Sequence, residues 1–165
     1  MKWWGRRKML QAGARASHFR LRDLDGNARP LDEILAGGPA LFVFYKVSCP
    51  VCQFALPYVE RMYRQAAKDT IQFFGVSQDN AGATRNFCLE CGITFPSLLD
   101  EKGSGYPASN VFGISRVPTS FLVEEDGTIS MVLESFCKSE FETLGRRLDA
   151  APFLPGEYVP DWRPG

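Results

Sequence analysis

The sequence predicts an α/β domain: a central mixed β-sheet flanked by helices, with a β-hairpin extension on its N-terminal side. Three observations carry this. The run Ala40–Tyr45 (ALFVFY) is apolar throughout, as in a strand buried on both faces. A second run, Ile71–Val76 (IQFFGV), follows after a helix-length interval, and a strand–helix–strand unit of this length pairs its strands in parallel. Farther on, Ser120–Val123 and Ile129–Leu133 flank the turn sequence Glu125-Asp126-Gly127, which makes them an antiparallel hairpin.

The remaining elements fall into place around these. Phe19, Leu21 and Leu24 lead into Asp25-Gly26-Asn27, a strong turn signal, so the chain opens on a short hairpin. A helical turn over Leu31–Leu35 ends at Gly37-Gly38-Pro39. After the first buried strand, Ser48-Cys49-Pro50 starts a helix, because proline is pre-organised for the first helical position. Ala55, Val59, Met62 and Ala66 share one face, and the helix is expected to run to about Lys68 with a bend at Pro57. Asp79 or Asn80 caps a further helix ending at Cys91, with Gly92 as its stop. A short turn near Ser109–Phe112 precedes Val117-Pro118-Thr119, and a last helix runs from about Ser139 to Leu148. The organisation is a basic arm over residues 1–16, one domain over 17–150, and a Pro-rich tail over 151–165 laid on the surface.

Charge and composition exclude several classes. Nineteen basic residues balance nineteen acidic ones, so no net field draws in nucleic acid. The balance is uneven along the chain: Lys2, Arg6, Arg7, Lys8, Arg15, Arg20 and Arg22 all precede the first acid, Asp23. With Trp3 and Trp4 they allow a membrane-surface arm, but a solvated tail is the expectation for such an end. No stretch approaches the roughly 20 apolar residues of a membrane span. No secretory-type apolar run follows the basic start, so a cytoplasmic protein is expected, with a periplasmic one as the alternative where a leader precedes this sequence. His18 is the single histidine and lies far upstream of the cysteines, which argues against a Cys–His hydrolase.

The chemistry sits in the cysteines at 49, 52, 88, 91 and 137. An odd number in a chain of this size makes a poor disulfide scaffold, whereas CxxC spacing points to redox chemistry or metal. Cys49-Pro50-Val51-Cys52 lies where a buried strand meets a helix start. Unpaired amides and the helix dipole favour negative charge there, and the thiolate is the reactive form of cysteine. Cys49 can attack a substrate disulfide, and Cys52, one turn in and less exposed, can resolve the mixed disulfide. Lys46 precedes the site. Cys88 and Cys91 fall with Thr84 and Phe87 on the apolar face of their helix, so they read as core, with a second redox pair as the sharper alternative. Four-cysteine zinc binding is disfavoured, because 35 residues separate Cys52 from Cys88, against about 15–20 in the usual patterns. Cys137 is expected to be structural or at the surface.

At these residues the chain resembles the thioredoxin superfamily. Leu41–Pro57 (LFVFYKVSCPVCQFALP) looks like its active-site strand and helix, Val117-Pro118-Thr119 like its cis-proline loop, and Pro118–Ile129 (PTSFLVEEDGTI) like the hairpin that follows. Phe19–Leu31 and Gly75–Leu99 resemble the hairpin and insert of periplasmic-type thiol–disulfide oxidoreductases and of their alkyl hydroperoxide reductase/thiol-specific antioxidant (redoxin) relatives. The resemblance spans about residues 17–148 and implies a thioredoxin fold, Cys49 as nucleophile and Cys52 as resolving thiol. It further implies a cis Pro118 that exposes the Val117 backbone for strand-like pairing with a peptide. The chain departs from the pattern where the family keeps a buried acid behind the cysteines: those positions hold Val43 and Ala55.

The resemblance thus implies an enzyme, a thiol–disulfide oxidoreductase and more specifically a reductase. Its partners are a protein disulfide and an external thiol or dithiol donor; no organic cofactor or metal is expected. Two alternatives remain. Peroxiredoxins place Pro seven residues and Thr or Ser three residues before the reacting cysteine; counting back from Cys52 gives Tyr45 and Cys49, and from Cys49 gives Phe42 and Lys46. They also carry an Arg near the place of Pro118. The other alternative is a non-catalytic binding module using the Pro118 groove.

Overall fold

The computed structural model describes residues 7–165. Lys2, Trp3, Trp4 and Arg6, the start of the basic arm, lie outside the described residues.

A hairpin of β1 (Arg20–Asp23) and β2 (Ala28–Pro30) leads to α1 (Leu31–Ala36). Then come β3 (Ala40–Tyr45), α2 (Pro50–Gln65), β4 (Gln72–Ser77), α3 (Ala81–Cys91) and β5 (Ser97–Leu99). A 3-10 turn at Lys102–Ser104 and α4 (Pro107–Phe112) precede β6 (Thr119–Val123), β7 (Ile129–Glu134), β8 (Phe136–Cys137), α5 (Lys138–Leu148) and β9 (Trp162–Arg163). Seven strands form one sheet in the order β2-β1-β5-β4-β3-β6-β7, and β8 pairs with β9 in a separate ribbon. The pairs β3–β4 and β4–β5 are parallel; β3–β6 and β6–β7 are antiparallel. This is the mixed sheet flanked by helices that the sequence predicts.

β3 sits between β4 and β6, and all six of its residues are buried. Alternation divides them between two cores. Leu41, Val43 and Tyr45 join the cluster under α2, α3 and α5, with Leu56, Met62, Phe87 and Leu144. Phe42 and Phe44 join the opposite cluster with Phe19, Phe74, Phe112 and Phe121, beneath α1 and α4. That second core is an aromatic lattice: Phe112 meets Phe121 edge-on at 4.9 Å and Phe44 at 5.4 Å. Such pairs add about 0.5–1.5 kcal/mol beyond the area they bury.

Two buried carboxylates join elements that the sheet alone does not connect. Glu60, in the middle of α2, accepts the amides of Thr94 (2.9 Å) and Phe95 (3.3 Å) and the Thr94 hydroxyl, and pairs with Arg64 at 3.0 Å. Asp100 accepts the amides of Ala108 and Ser109, both at 2.8 Å, and so caps α4 from a distance.

Several expectations change. α2 ends at Gln65, not near Lys68, because Ala66 turns to extended backbone. α3 keeps its expected end at Cys91, with Gly92 at φ 67°, and of its two cap candidates it is Asn80 whose Oδ1 accepts the Ala83 amide, at 2.9 Å. The arm is not solvated along its whole length. Gly13 and Ile129 are joined by an amide–carbonyl bond of 2.8 Å, and Ala16 to Gly127 by another of 2.8 Å; Met9, Leu10 and Ala16 pack on the aromatic core. β5, β8 and β9 are further additions to the sequence reading.

Gly75, in β4, leaves no room for a side chain. A Cβ there would come within 2.9 Å of the Tyr45 ring and 3.2 Å of the Phe95 ring. Gly75→Ala is expected to cost about 1–3 kcal/mol by overpacking, and Phe112→Ala about 3–5 kcal/mol by leaving a cavity. Urea denaturation of both variants checks this; a neutral Gly75→Ala would mean the Tyr45 ring moves freely.

Candidate active site

The site forms where β3 delivers the chain into α2. Cys49 is the N-cap of α2 with Pro50 in its first turn, and its Sγ accepts the amide of Cys52 at 3.3 Å. The three residues before it are tied down on several sides. The Val47 amide donates to Asp79 Oδ2 at 2.9 Å, the Val47 carbonyl accepts Gln53 Nε2 at 2.8 Å, and the Cys49 amide donates to the Lys46 carbonyl at 3.2 Å.

The two sulfurs live in different surroundings. Cys49 is half-buried and reaches outward, while Cys52 is fully buried in the cluster that also holds Val43 and Ala55. Burial pushes the Cys52 thiol well above its ordinary range. The Lys46 amide opposes this, and the Cys49 sulfur and the Asp79 carboxylate add to it. The positions where the family keeps an acid are therefore part of an apolar wall. The carboxylate that does reach the site is Asp79, at the end of β4.

Register brings the second half of the site across. Phe44 pairs with Thr119, so the residues preceding β6 stand beside the loop that follows β3. The Val117–Pro118 peptide bond is cis. The Cys49 thiol donates to the Val117 carbonyl over 3.5 Å. Cys49, Cys52, Val117 and Pro118, far apart in sequence, thus meet in one place. Arg116, two residues before Pro118, forms a solvent-exposed ion pair with Glu134 at 2.9 Å.

Cys88 and Cys91 follow the packing reading. Both are half-buried on the face of α3 that meets the core. Cys88 Sγ lies 3.9 Å from the Tyr45 hydroxyl and 3.8 Å from Ser97 Oγ, over the interior strands β3 and β5. Burial raises the Cys91 thiol. Cys137 stands at the N-cap position of α5 without a side-chain capping bond, its Sγ 3.3 Å from Ser139 Oγ. Among the described residues, no group of three or more His, Cys, Asp or Glu side chains is placed to hold a metal ion.

Asp79 is the residue that sequence reasoning assigned differently. Asp79 and Asn80 were equal candidates for the α3 cap; with Asn80 in that role, Asp79 is free for the Val47 amide. The signal lay in the parallel register. Tyr45 pairs with Ser77, which carries Val47 and Asp79 past the sheet edge side by side.

Comparison with known proteins agrees with this geometry. The chain is 29% identical over 127 residues to the thiol-disulfide oxidoreductase ResA of Halalkalibacterium halodurans, covering 76% of this chain and 70% of the relative. Its fold is that of the thioredoxin domain of a thiol-disulfide oxidoreductase from Bacteroides vulgatus: the TM-score is 0.73 at 21% identity, covering 84% of this chain and 99% of the other. A peroxidoxin, BcpB of Mycobacterium tuberculosis, shares the fold at TM-score 0.70 and 22% identity, over 86% and 96% of the two chains. Residues 12–132 match the AhpC/TSA family, and the chain belongs to that family.

Proposed function

We propose that this protein is a thiol–disulfide oxidoreductase acting on protein disulfides through Cys49 and Cys52, in the reductive direction. The observation that carries the reading is the unequal placement of two sulfurs on one helix start. Cys49 is reachable and bonded to the first-turn amide of Cys52, whereas Cys52 is closed off behind it. The relatives that bear the name thiol-disulfide oxidoreductase support it.

The exchange runs in two steps. The Cys49 thiolate attacks one sulfur of the substrate disulfide. That S–S bond breaks, a Cys49–substrate disulfide forms, and the other substrate sulfur leaves as a thiolate and takes up a proton. Cys52 then loses its proton and attacks Cys49. The mixed disulfide breaks, the second substrate sulfur leaves and is protonated, and a Cys49–Cys52 disulfide remains. The substrate has gained two electrons and two protons. An external thiol or dithiol donor restores the dithiol by the reverse exchange. The Val117 backbone, beside the sulfur, is the place where an extended substrate segment pairs.

Because burial holds the Cys52 thiol up, the second step quickens as pH rises and more of Cys52 is deprotonated. Asp79 adds to that barrier by its charge. It also steadies the Val47 amide, a contact that the asparagine carbonyl can keep.

A peroxidase reading has the family and the peroxidoxin neighbour behind it. Against it stand the cysteine spacing and Pro118.

Equilibration in glutathione buffers, followed by alkylation and mass spectrometry, tests the central reading. One two-electron transition is expected, absent in Cys49→Ser, with a potential near the thioredoxin value of about −270 mV. A value near −120 mV would make the protein an oxidant, and two thiols that never couple would overturn the mechanism. Cys52→Ser is expected to accumulate the mixed disulfide with a peptide substrate, seen as a stable mass adduct. Asp79→Asn is expected to move the pH profile of the resolving step toward lower pH, since a negative charge near Cys52 is gone; an unmoved profile would remove Asp79 from the site. Peroxide consumption above that of Cys49→Ser would favour the peroxidase instead.

A further inference from the structure

Residues 151–165 run from α5 over α2 to the Val117 backbone beside Cys49. After α5 the chain returns over α2 and is fastened there. Arg61 donates to the Pro152 carbonyl at 2.8 Å and to Glu157 at 2.7 Å. Gln65 exchanges two hydrogen bonds with the Ala151 backbone, at 2.8 and 3.0 Å. Phe153 packs edge-on against Tyr58 at 5.1 Å, and Val159 is buried.

Beyond Pro160 the character of the attachment changes. β9 pairs with β8 through Cys137↔Trp162 and Phe136↔Arg163, and the Lys138 amide donates to the Asp161 carbonyl at 2.9 Å. The Arg163 guanidinium lies over the ring of Phe54, 4.5 Å from its centre. The Gly165 amide donates to Ser135 Oγ at 2.8 Å. At Gly165 the approach is so close that a Cβ would fall 2.3 Å from the Val117 carbonyl oxygen. That same oxygen accepts from Cys49 Sγ over 3.5 Å. The end of the tail and the sulfur therefore converge on one backbone atom.

We propose that residues 161–165 are a strap across the substrate groove, and that a protein disulfide reaches Cys49 by displacing it. The inference rests on the reading of Val117 as the docking backbone. Two features make it a removable cover rather than a fixed wall. All five residues are exposed, and their hold is a two-residue ribbon, the Lys138–Asp161 backbone bond, one cation–ring contact and the Gly165–Ser135 hydrogen bond. The root of the strap, by contrast, is fixed by a bidentate Arg61–Glu157 pair and buried side chains. Residues 161–165 can lift away while the root stays in place. What it occupies is backbone pairing space, so the occupant it gives way to is an extended peptide segment. A small thiol reagent needs less room and passes beside it.

The test compares the full chain, a chain ending at Pro160, and Gly165→Ala, in which the added methyl cannot fit against the Val117 carbonyl. Alkylation of Cys49 is followed with iodoacetamide and with a maleimide carried on a short extended peptide. Ending the chain at Pro160 is expected to raise the peptide–maleimide rate severalfold while the iodoacetamide rate changes little, and Gly165→Ala is expected to move the same way to a smaller degree. Equal peptide–maleimide rates in all three chains would overturn the strap, as would an equal rise with both reagents. Disulfide exchange is measured alongside. If no chain exchanges disulfides but the alkylation difference persists, the strap stands and the oxidoreductase reading falls.

Discussion

The whole arrangement depends on β3 being buried on both faces and paired on both edges. Its six residues serve two cores at once, so neither its depth nor its register can shift without emptying one of them. Every part of the site is positioned from this strand. Its C-terminal end directs the chain into α2 with Cys49 as the cap. Its parallel partner β4 brings Asp79 to the Val47 amide, and its antiparallel partner β6 brings Val117 and Pro118 to the Cys49 sulfur. A redox centre assembled from three separate segments is thus held by one element of the sheet.

That dependence explains what could be read from the sequence. The strands β3, β4, β6 and β7 are legible because each is apolar over several residues and bounded by turn residues. The helix starts at Pro50 and after Asn80 carry their own local signals. β5, β8 and β9 have two or three residues each, too few to show a period, and each exists only because a distant strand offers it hydrogen bonds. The seam along residues 9–16 is of the same kind. It has no pattern of its own and takes its shape from the β6–β7 turn.

The site divides along the same line. Cys49 and Cys52 are visible from spacing and from their place between strand and helix, and Val117 and Pro118 from resemblance. Asp79 is a contact of register, not of motif, and shows itself only when β3 and β4 are aligned. The four prolines of the tail predict surface chain, and most of it is exposed. Where it comes to rest is decided by single side chains, Arg61, Gln65 and Phe54, that look like ordinary helix-surface residues in the sequence.

Glu60 has a mechanical consequence. Its carboxylate clamps the middle of α2 to the Thr94–Phe95 turn, which is continuous with β5. The helix that bears the two sulfurs is therefore bolted to the sheet at its midpoint as well as along its apolar face. When the bond between Cys49 and Cys52 is made or broken, the sulfurs must change their separation, and a helix held in this way cannot swing to accommodate it. The change falls on the side-chain torsions of Cys49, the less buried of the two, since the span from Lys46 to Ser48 is itself held by the bonds of Val47 to Asp79 and Gln53.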